Sequence, residues 1–196
     1  MLLRPLLLVS LLCVAPASCA FAQTLPPDIK RAPKVTMHRS QAGEPDASGW
    51  MLATSTEGGF SVRLPIKFND YTADESAVSG PVLRSFSIEA NSPNKTKFYA
   101  SRIVYRDGAK TAQLFFARWE KGEGLPPDAK GIKPHRVGAR RAVDYVQLGE
   151  RDVAYARFLL LETDLLTMFI GSPRGLDATT QHFVAPFFDS LKISAK

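Results

Sequence analysis

Apolar and polar side chains alternate along two short stretches of this chain, 60–64 and 85–90, with the two-residue period of a β-strand. The apolar members are Phe60, Val62 and Leu64 in the first stretch and Phe86, Ile88 and Ala90 in the second. Because successive side chains of a strand point to opposite faces, each stretch predicts a strand with one buried face. Residues 51–55 and the turn Glu57-Gly58-Gly59 precede the first stretch and predict a β-hairpin with it.

Further strand segments follow this hairpin. They are predicted at 98–105, 139–148, 152–161 and 165–170. The last segment is almost entirely apolar, which is typical of a central strand covered on both faces. The polar segment around Asp70, Asp74 and Glu75 is expected to be a loop, as is the segment after Gly122.

Two helices are predicted among these strands. The apolar residues of the first recur at steps of three and four, at Ala112, Phe115, Phe116 and Trp119. The second is expected to begin at Asp177 as its N-cap, and Pro186 is expected to kink it or to start another short helix. This order of elements predicts the α+β class, with an antiparallel sheet of about six strands and helices packed on it.

Two local motifs resemble those of a known fold family. They are Glu57-Gly58-Gly59-Phe60-Ser61-Val62 followed by Leu64-Pro65, and Phe187-Phe188-Asp189-Ser190-Leu191 near the end. With them the chain resembles small exported proteins that have the fold shared by the photosystem II protein PsbP and the Ran-binding protein Mog1. This resemblance implies an α/β/α sandwich around an antiparallel sheet, and a role as an accessory or binding protein.

The first 22 residues have the order of a cleavable export signal. Arg4 precedes an apolar run over 6–14, and small residues then end in Ala20-Phe21-Ala22 before Gln23. This order predicts cleavage between Ala22 and Gln23 and a periplasmic location in a Gram-negative bacterium. The apolar run is shorter than the roughly 20 residues that span a bilayer, so no transmembrane segment is expected in the mature chain.

Both cysteines, Cys13 and Cys19, fall inside this signal. A mature chain that begins at Gln23 would therefore have no disulfide, no thiolate metal site and no cysteine nucleophile. An alternative is a lipoprotein that begins at Cys19, although Pro16 stands where such signals carry Leu.

The rest of the chain divides into two parts. Residues 23–48 contain four prolines and no apolar periodicity, which predicts a flexible leader. Residues 49–196 are expected to form a single α+β domain, and their length suits one core. Hydrophobic residues make up 45% of the chain and charged residues 22%, close to the averages for folded soluble proteins.

The net charge of +6 makes the protein basic. Outside the cytoplasm, nucleic acid is not an expected partner, whereas an envelope protein, anionic lipid headgroups and acidic polymers are. A basic cluster lies within a short span that also contains Gly131 and Gly138, and its members are Lys130, Lys133, His135, Arg136, Arg140 and Arg141. If this span is a loop entering a strand, the cluster can bind a phosphate or carboxylate. The alternative is a solvated sheet edge that discourages aggregation.

No catalytic, metal or cofactor motif is found. The three histidines, His38, His135 and His182, lack the paired spacing of a zinc site. Gly171-Ser172-Pro173-Arg174-Gly175 lacks the spacing of a hydrolase nucleophile turn. The acidic residues of the loop around Asp70 lack the spacing of a calcium loop.

The sequence therefore favours a non-enzymatic periplasmic module that binds an anionic envelope component or a partner protein, without a cofactor. One alternative is a small hydrolase that uses buried carboxylates such as Asp144 or Glu162. The other is a carrier of a small apolar ligand, which requires a cavity lined by Phe86, Phe98 or Phe158.

Overall fold

The computed structural model describes residues 32–38 and 44–194. The predicted export signal, 1–22, both cysteines and the start of the predicted leader lie outside the described residues. Within them the strands are β1 (Lys34–His38), β2 (Met51–Thr54), β3 (Phe60–Leu64), β4 (Asn69–Asp74), β5 (Val82–Asn91), β6 (Lys97–Tyr105), β7 (Ala129–Val137), β8 (Arg140–Leu148), β9 (Asp152–Leu160), β10 (Leu165–Pro173) and β11 (Lys192–Ile193). The helices are α1 (Ala109–Glu120) and α2 (Asp177–Phe188), and a short 3₁₀ turn, Arg174–Leu176, precedes α2.

Eight of these strands form one antiparallel sheet in the order β1-β4-β5-β6-β10-β9-β8-β7. The apolar strand β10 lies in the interior of this sheet, between β6 and β9. Four of its apolar side chains are fully buried: Leu165, Leu166, Met168 and Ile170. The prediction of a central strand covered on both faces is therefore confirmed.

The two faces of the large sheet carry different cores. On one face, which we call the α2 face, Leu166, Met168 and Ile170 pack with residues of α2 and of the small sheet. On the other, the α1 face, Leu165 packs with Phe116 and other residues of α1. Each helix thus covers one face of the sheet.

A small sheet, in the order β11-β3-β2, completes the α2 face. The predicted β2–β3 hairpin is confirmed, and its buried face consists of Phe60, Val62 and Leu64. The turn before β3 needs glycine, because a Cβ at Gly58 would lie 2.6 Å from Ser55 Oγ and 2.7 Å from the Phe60 ring.

The second helix differs in two details from the expectation. Asp177 is its first residue and Leu176 its N-cap, and the Asp177 carboxylate accepts a hydrogen bond from the Tyr155 hydroxyl at 2.5 Å. Pro186 lies inside one continuous helix and starts no second one. Since α2 ends two residues after Pro186, the missing amide costs the helix a single late hydrogen bond.

The expected fold class is wrong. Among the described residues 49% are in strands and 17% in helices, so the protein is mostly β and not an α+β sandwich of about six strands with packed helices. Four strands, β1, β4, β7 and β11, were not predicted from the sequence. β1 and β7 are exposed along almost their whole length, and the buried positions of β4 hold Asp70 and Thr72. Two-residue alternation identifies a strand only when one of its faces is apolar.

Part of the predicted leader is structured. Within 23–48, β1 pairs with β4 over five residues, from Lys34 opposite Asp74 to His38 opposite Asp70. No helix among the described residues has the length and apolar character needed to cross a membrane.

Candidate functional site

The predicted basic cluster lies on the β7–β8 hairpin. The segment expected to be a loop is β7, which forms one edge of the large sheet and pairs with β8 across Gly138 and Ala139. Gly138 has φ +59°, a left-handed conformation that suits glycine in such a turn. All six predicted residues therefore share one hairpin, but they do not share one face of it.

The pairing register assigns each residue to a face, because residues directly opposite each other in an antiparallel pair lie on the same side. His135 pairs with Ala142 and Lys133 with Asp144, which places both on the α2 face. Lys130 pairs with Val146 after a bulge, and Arg140 is two positions from Ala142, so these two also lie on the α2 face. Arg136 and Arg141 pair with each other on the α1 face.

Arg141 is neutralised and packed. Its guanidinium donates to both carboxylate oxygens of Glu120 at the end of α1. It also lies over the Phe116 ring, 5.2 Å from the centroid. These contacts tie the end of α1 to β8, so Arg141 has a structural role.

His135 contacts an ion-pair network on the α2 face. Its Nε2 lies 3.0 Å from Asp144 Oδ1, outside the angular range of a hydrogen bond. Asp144 accepts two hydrogen bonds from the Arg157 guanidinium, each 2.9 Å long. Arg157 also contacts Asp189 just after α2 at 3.2 Å and lies over the Phe188 ring. The network thus joins β7, β8, β9 and the end of α2.

The electrostatics of Asp144 follow from this network. Burial by itself would raise the pKa of its carboxyl, but the contacts with Arg157 and His135 outweigh burial and lower the pKa below its usual range. Asp144 is therefore an ionised partner in a network and is poorly suited to donate a proton near neutral pH. Glu162, the other carboxylate considered for a hydrolase, is exposed in the connection between β9 and β10.

We expect the effect of Asp144→Asn on stability to depend on pH. Because the folded-state pKa is depressed, the ionised carboxylate stabilises the native state above its unfolded pKa of about 3.9, and this contribution is lost as pH falls through the folded pKa. Urea denaturation should therefore show a larger loss in unfolding free energy for the variant at pH 7 than at pH 3. Equal losses at both pH values would contradict the assigned charge network.

The other lysine and arginine residues of the cluster form no ion pair within the described ranges, although Lys133 lies opposite Asp144 on the neighbouring strand. Lys130, Lys133, Arg136 and Arg140 are exposed, and none forms an ion pair with any residue in 32–38 or 44–194. Arg136 donates a hydrogen bond to the Ala139 carbonyl across the turn and lies on the α1 face. The other three share the α2 face, and we call Lys130, Lys133 and Arg140 the cationic row.

The cationic row is extended and does not form a pocket. Lys130 lies opposite Val146, and Val146 and Arg140 are six positions apart on β8. At a rise of about 3.4 Å per residue the row is roughly 20 Å long. Its members are therefore too far apart to surround one phosphate or carboxylate together, and they suit a series of anionic groups.

The hairpin also carries features that protect a sheet edge. Pro134 removes one amide donor from β7, and the register shifts between Lys130 and Lys133, around Gly131. Proline, bulges and lysine are the means by which natural proteins prevent pairing between exposed strands. Edge protection concerns Lys130 and Lys133 on the edge strand β7, whereas Arg140 lies on β8, which has a neighbouring strand on both sides.

Ser172 and the phenylalanines considered for an apolar ligand belong to the packing of the core. Ser172 is buried and accepts a hydrogen bond from the Thr180 hydroxyl, at 2.7 Å, as a contact between β10 and α2. Phe98 and Phe158 are fully buried against other aromatic rings, and Phe86 packs partly buried against the core. Within the described ranges no group of three or more His, Cys, Asp or Glu residues is placed to hold a metal ion.

Sequence reasoning missed the acidic partners of the hairpin. Glu120 neutralises Arg141, and Asp144 contacts His135. Glu120 lies at the end of α1, outside the hairpin. Asp144 is in β8 itself, and a correct alignment of β7 with β8 would have placed it beside His135. Glu120 has no such local signal.

Models of known protein families give no match to the chain, and a search of curated proteins finds no match either.

Proposed function

We propose that this protein is a non-enzymatic accessory module that binds an anionic component of the bacterial envelope through the cationic row. The observation that carries the proposal is the row itself: three exposed cations on one face of a single hairpin, none of which forms an ion pair with a described residue. The two neighbouring groups that have partners, His135 and Arg141, are engaged by Asp144 and Glu120. The hairpin therefore presents a local excess of positive charge.

The spacing of the row favours an extended anionic partner. Lipid headgroups and acidic polymers present negative charges at intervals, so they can meet Lys130, Lys133 and Arg140 in turn. The predicted export signal favours an envelope anion over nucleic acid, since the surface would act outside the cytoplasm. The interaction is between exposed groups, so it should weaken as salt rises above about 0.1 M.

Removing the row is expected to abolish most of the binding. The triple variant Lys130→Gln, Lys133→Gln and Arg140→Gln should bind vesicles of anionic phospholipid about 100-fold more weakly than the parent at low salt. This follows from about 1 kcal/mol for each cation close to an anionic surface. Cosedimentation with vesicles of increasing anionic content measures the change.

A matched control separates the row from net charge. Lys67→Gln, Lys110→Gln and Lys192→Gln remove the same charge from exposed residues that also lack ion pairs among the described residues. This control should lose less than a third as much binding free energy as the hairpin triple. Equal weakening of the two triples would mean that net charge and not the hairpin attracts the surface. Unchanged binding by the hairpin triple would reject the proposal.

A further inference from the structure

A polar cavity lies at the opposite end of the large sheet from the cationic row. It has a volume of about 190 Å³ and is lined by Lys34, Thr36, Glu57, Thr72, Asp74 and Arg84. Lys34 and Thr36 come from β1, Thr72 and Asp74 from β4, Arg84 from β5, and Glu57 from the turn after β2. A cavity of this size holds a molecule of a few to about ten non-hydrogen atoms.

One end of the cavity is cationic. Lys34 and Arg84 both lie directly opposite Asp74, one on each neighbouring strand, so the three side chains form one row on the same face. Arg84 reaches Asp74 through a single nitrogen at 3.3 Å, and Asp74 Oδ1 already accepts the Ser76 amide. Lys34 has no ion pair among the described residues. Two cations against one carboxylate leave this end able to hold an anionic group.

The other end is anionic. Thr36 and Thr72 lie opposite each other, two residues along their strands from Lys34 and Asp74. This second row is therefore about 7 Å from the row of Lys34, Asp74 and Arg84. The Thr72 hydroxyl donates to Glu57 Oε2 at 2.9 Å, and His38 Nε2 lies 2.8 Å from the same hydroxyl. Glu57 Oε2 also lies 3.9 Å from His38 Nε2, whereas Oε1 of this half-exposed side chain has no hydrogen-bond partner in the part of the chain that the structure describes. This oxygen is available to accept a hydrogen bond from a ligand ammonium group.

We propose that the cavity binds a small zwitterion, with its carboxylate or phosphate held by Lys34 and Arg84 beside Asp74, and its ammonium group at Glu57. The two ends are separated by one step between side-chain rows, about 7 Å, and Thr36 belongs to the row at the Glu57 end. A molecule with several bonds between its charged groups fits this separation better than one with adjacent charges. The site is independent of the cationic row, so neither proposal depends on the other.

The test uses two soluble probes with different anionic groups, 4-aminobutyrate and O-phosphoethanolamine. In a titration followed by amide chemical shifts, at least one should give a saturable shift at Thr36 and Thr72. Inorganic phosphate and ethylamine, which each carry charge of one sign only, should bind at least about tenfold more weakly, since each lacks one charged hydrogen bond.

Two variants distinguish the ends of the site. Glu57→Gln should weaken zwitterion binding about tenfold and leave the weak binding of inorganic phosphate unchanged. Arg84→Gln should weaken both, and Lys67→Gln, an exposed cation outside the cavity, should weaken neither. The proposal is overturned if neither probe shifts the cavity residues in a saturable way, if phosphate alone binds as tightly as the zwitterions, or if Glu57→Gln has no effect.

Discussion

Replacing Phe158 by alanine is expected to lower the free energy of unfolding by about 3–5 kcal/mol. The Phe158 ring is fully buried and stacks on Trp119 of α1, with a centroid distance of 4.2 Å. It also packs against the Tyr145 and Phe169 rings, with centroid distances of 5.5 and 5.6 Å. Its removal leaves a cavity between the sheet and α1 that rigid neighbours fill only in part. Urea denaturation monitored by tryptophan fluorescence measures the loss, because Trp119 lines the cavity.

The matched control for this change is Leu114→Ala on the same helix. Leu114 is 58% exposed, so its truncation should change the unfolding free energy by less than about 0.5 kcal/mol. A loss below about 1 kcal/mol for Phe158→Ala, or an equal loss for Leu114→Ala, would contradict the packing of α1 on this face.

The second large effect is expected at the buried ion pair between Arg102 and Asp164. Their side chains are only 13% and 5% exposed, and Arg102 donates to Asp164 Oδ2 from Nε at 2.7 Å and from Nη2 at 2.5 Å. Arg102 Nη1 also donates to the Gly58 carbonyl at 3.1 Å. Asp164→Ala leaves a buried cation without its carboxylate, which should cost about 3–5 kcal/mol of unfolding free energy.

A double variant separates the ion pair from the space it fills. Arg102→Met with Asp164→Leu removes both charges and keeps apolar volume, so it should be less destabilised than Asp164→Ala alone. Hydrogen exchange should be faster at the Gly58 turn in the double variant, because the Arg102 contact with its carbonyl is gone. A double variant as unstable as the single one would indicate that packing, and not an uncompensated charge, determines the loss.

The part of the fold that sequence patterns predict is the part with an apolar buried face. β3, β5, β6 and β8–β10 all place apolar residues against a core, and their positions agree with the predicted segments. In β4, by contrast, Asp70 is buried because it accepts hydrogen bonds from Thr56 and Ser55 in the turn after β2. A buried polar residue whose hydrogen bonds are made elsewhere in the fold cannot be distinguished in the sequence from a loop residue. The wrong fold class follows from these missed strands.

The candidate site was predicted as a group of residues but not as a surface. A run of cations between 130 and 141 is visible in the sequence, and so is the absence of catalytic motifs. Which of these cations share a face depends on strand pairing, since the bulge after Lys130 determines which side chains lie on the α2 face. Glu120 reaches Arg141 only because α1 packs on the other face of the sheet. The cavity at β1 depends on strand order in the same way, since β1 and β5 lie on either side of β4.

The most direct test of the proposed function is to observe which part of the protein meets an anionic surface. The ¹⁵N-labelled protein is titrated at low salt with small vesicles of anionic phospholipid, and the broadening of each amide resonance is measured. We expect the strongest broadening in β7, β8 and the turn at Gly138, with little in β1 and β4, and we expect it to fall as salt is raised. Broadening centred on another face of the protein, with the hairpin resonances unaffected, would contradict the proposed function.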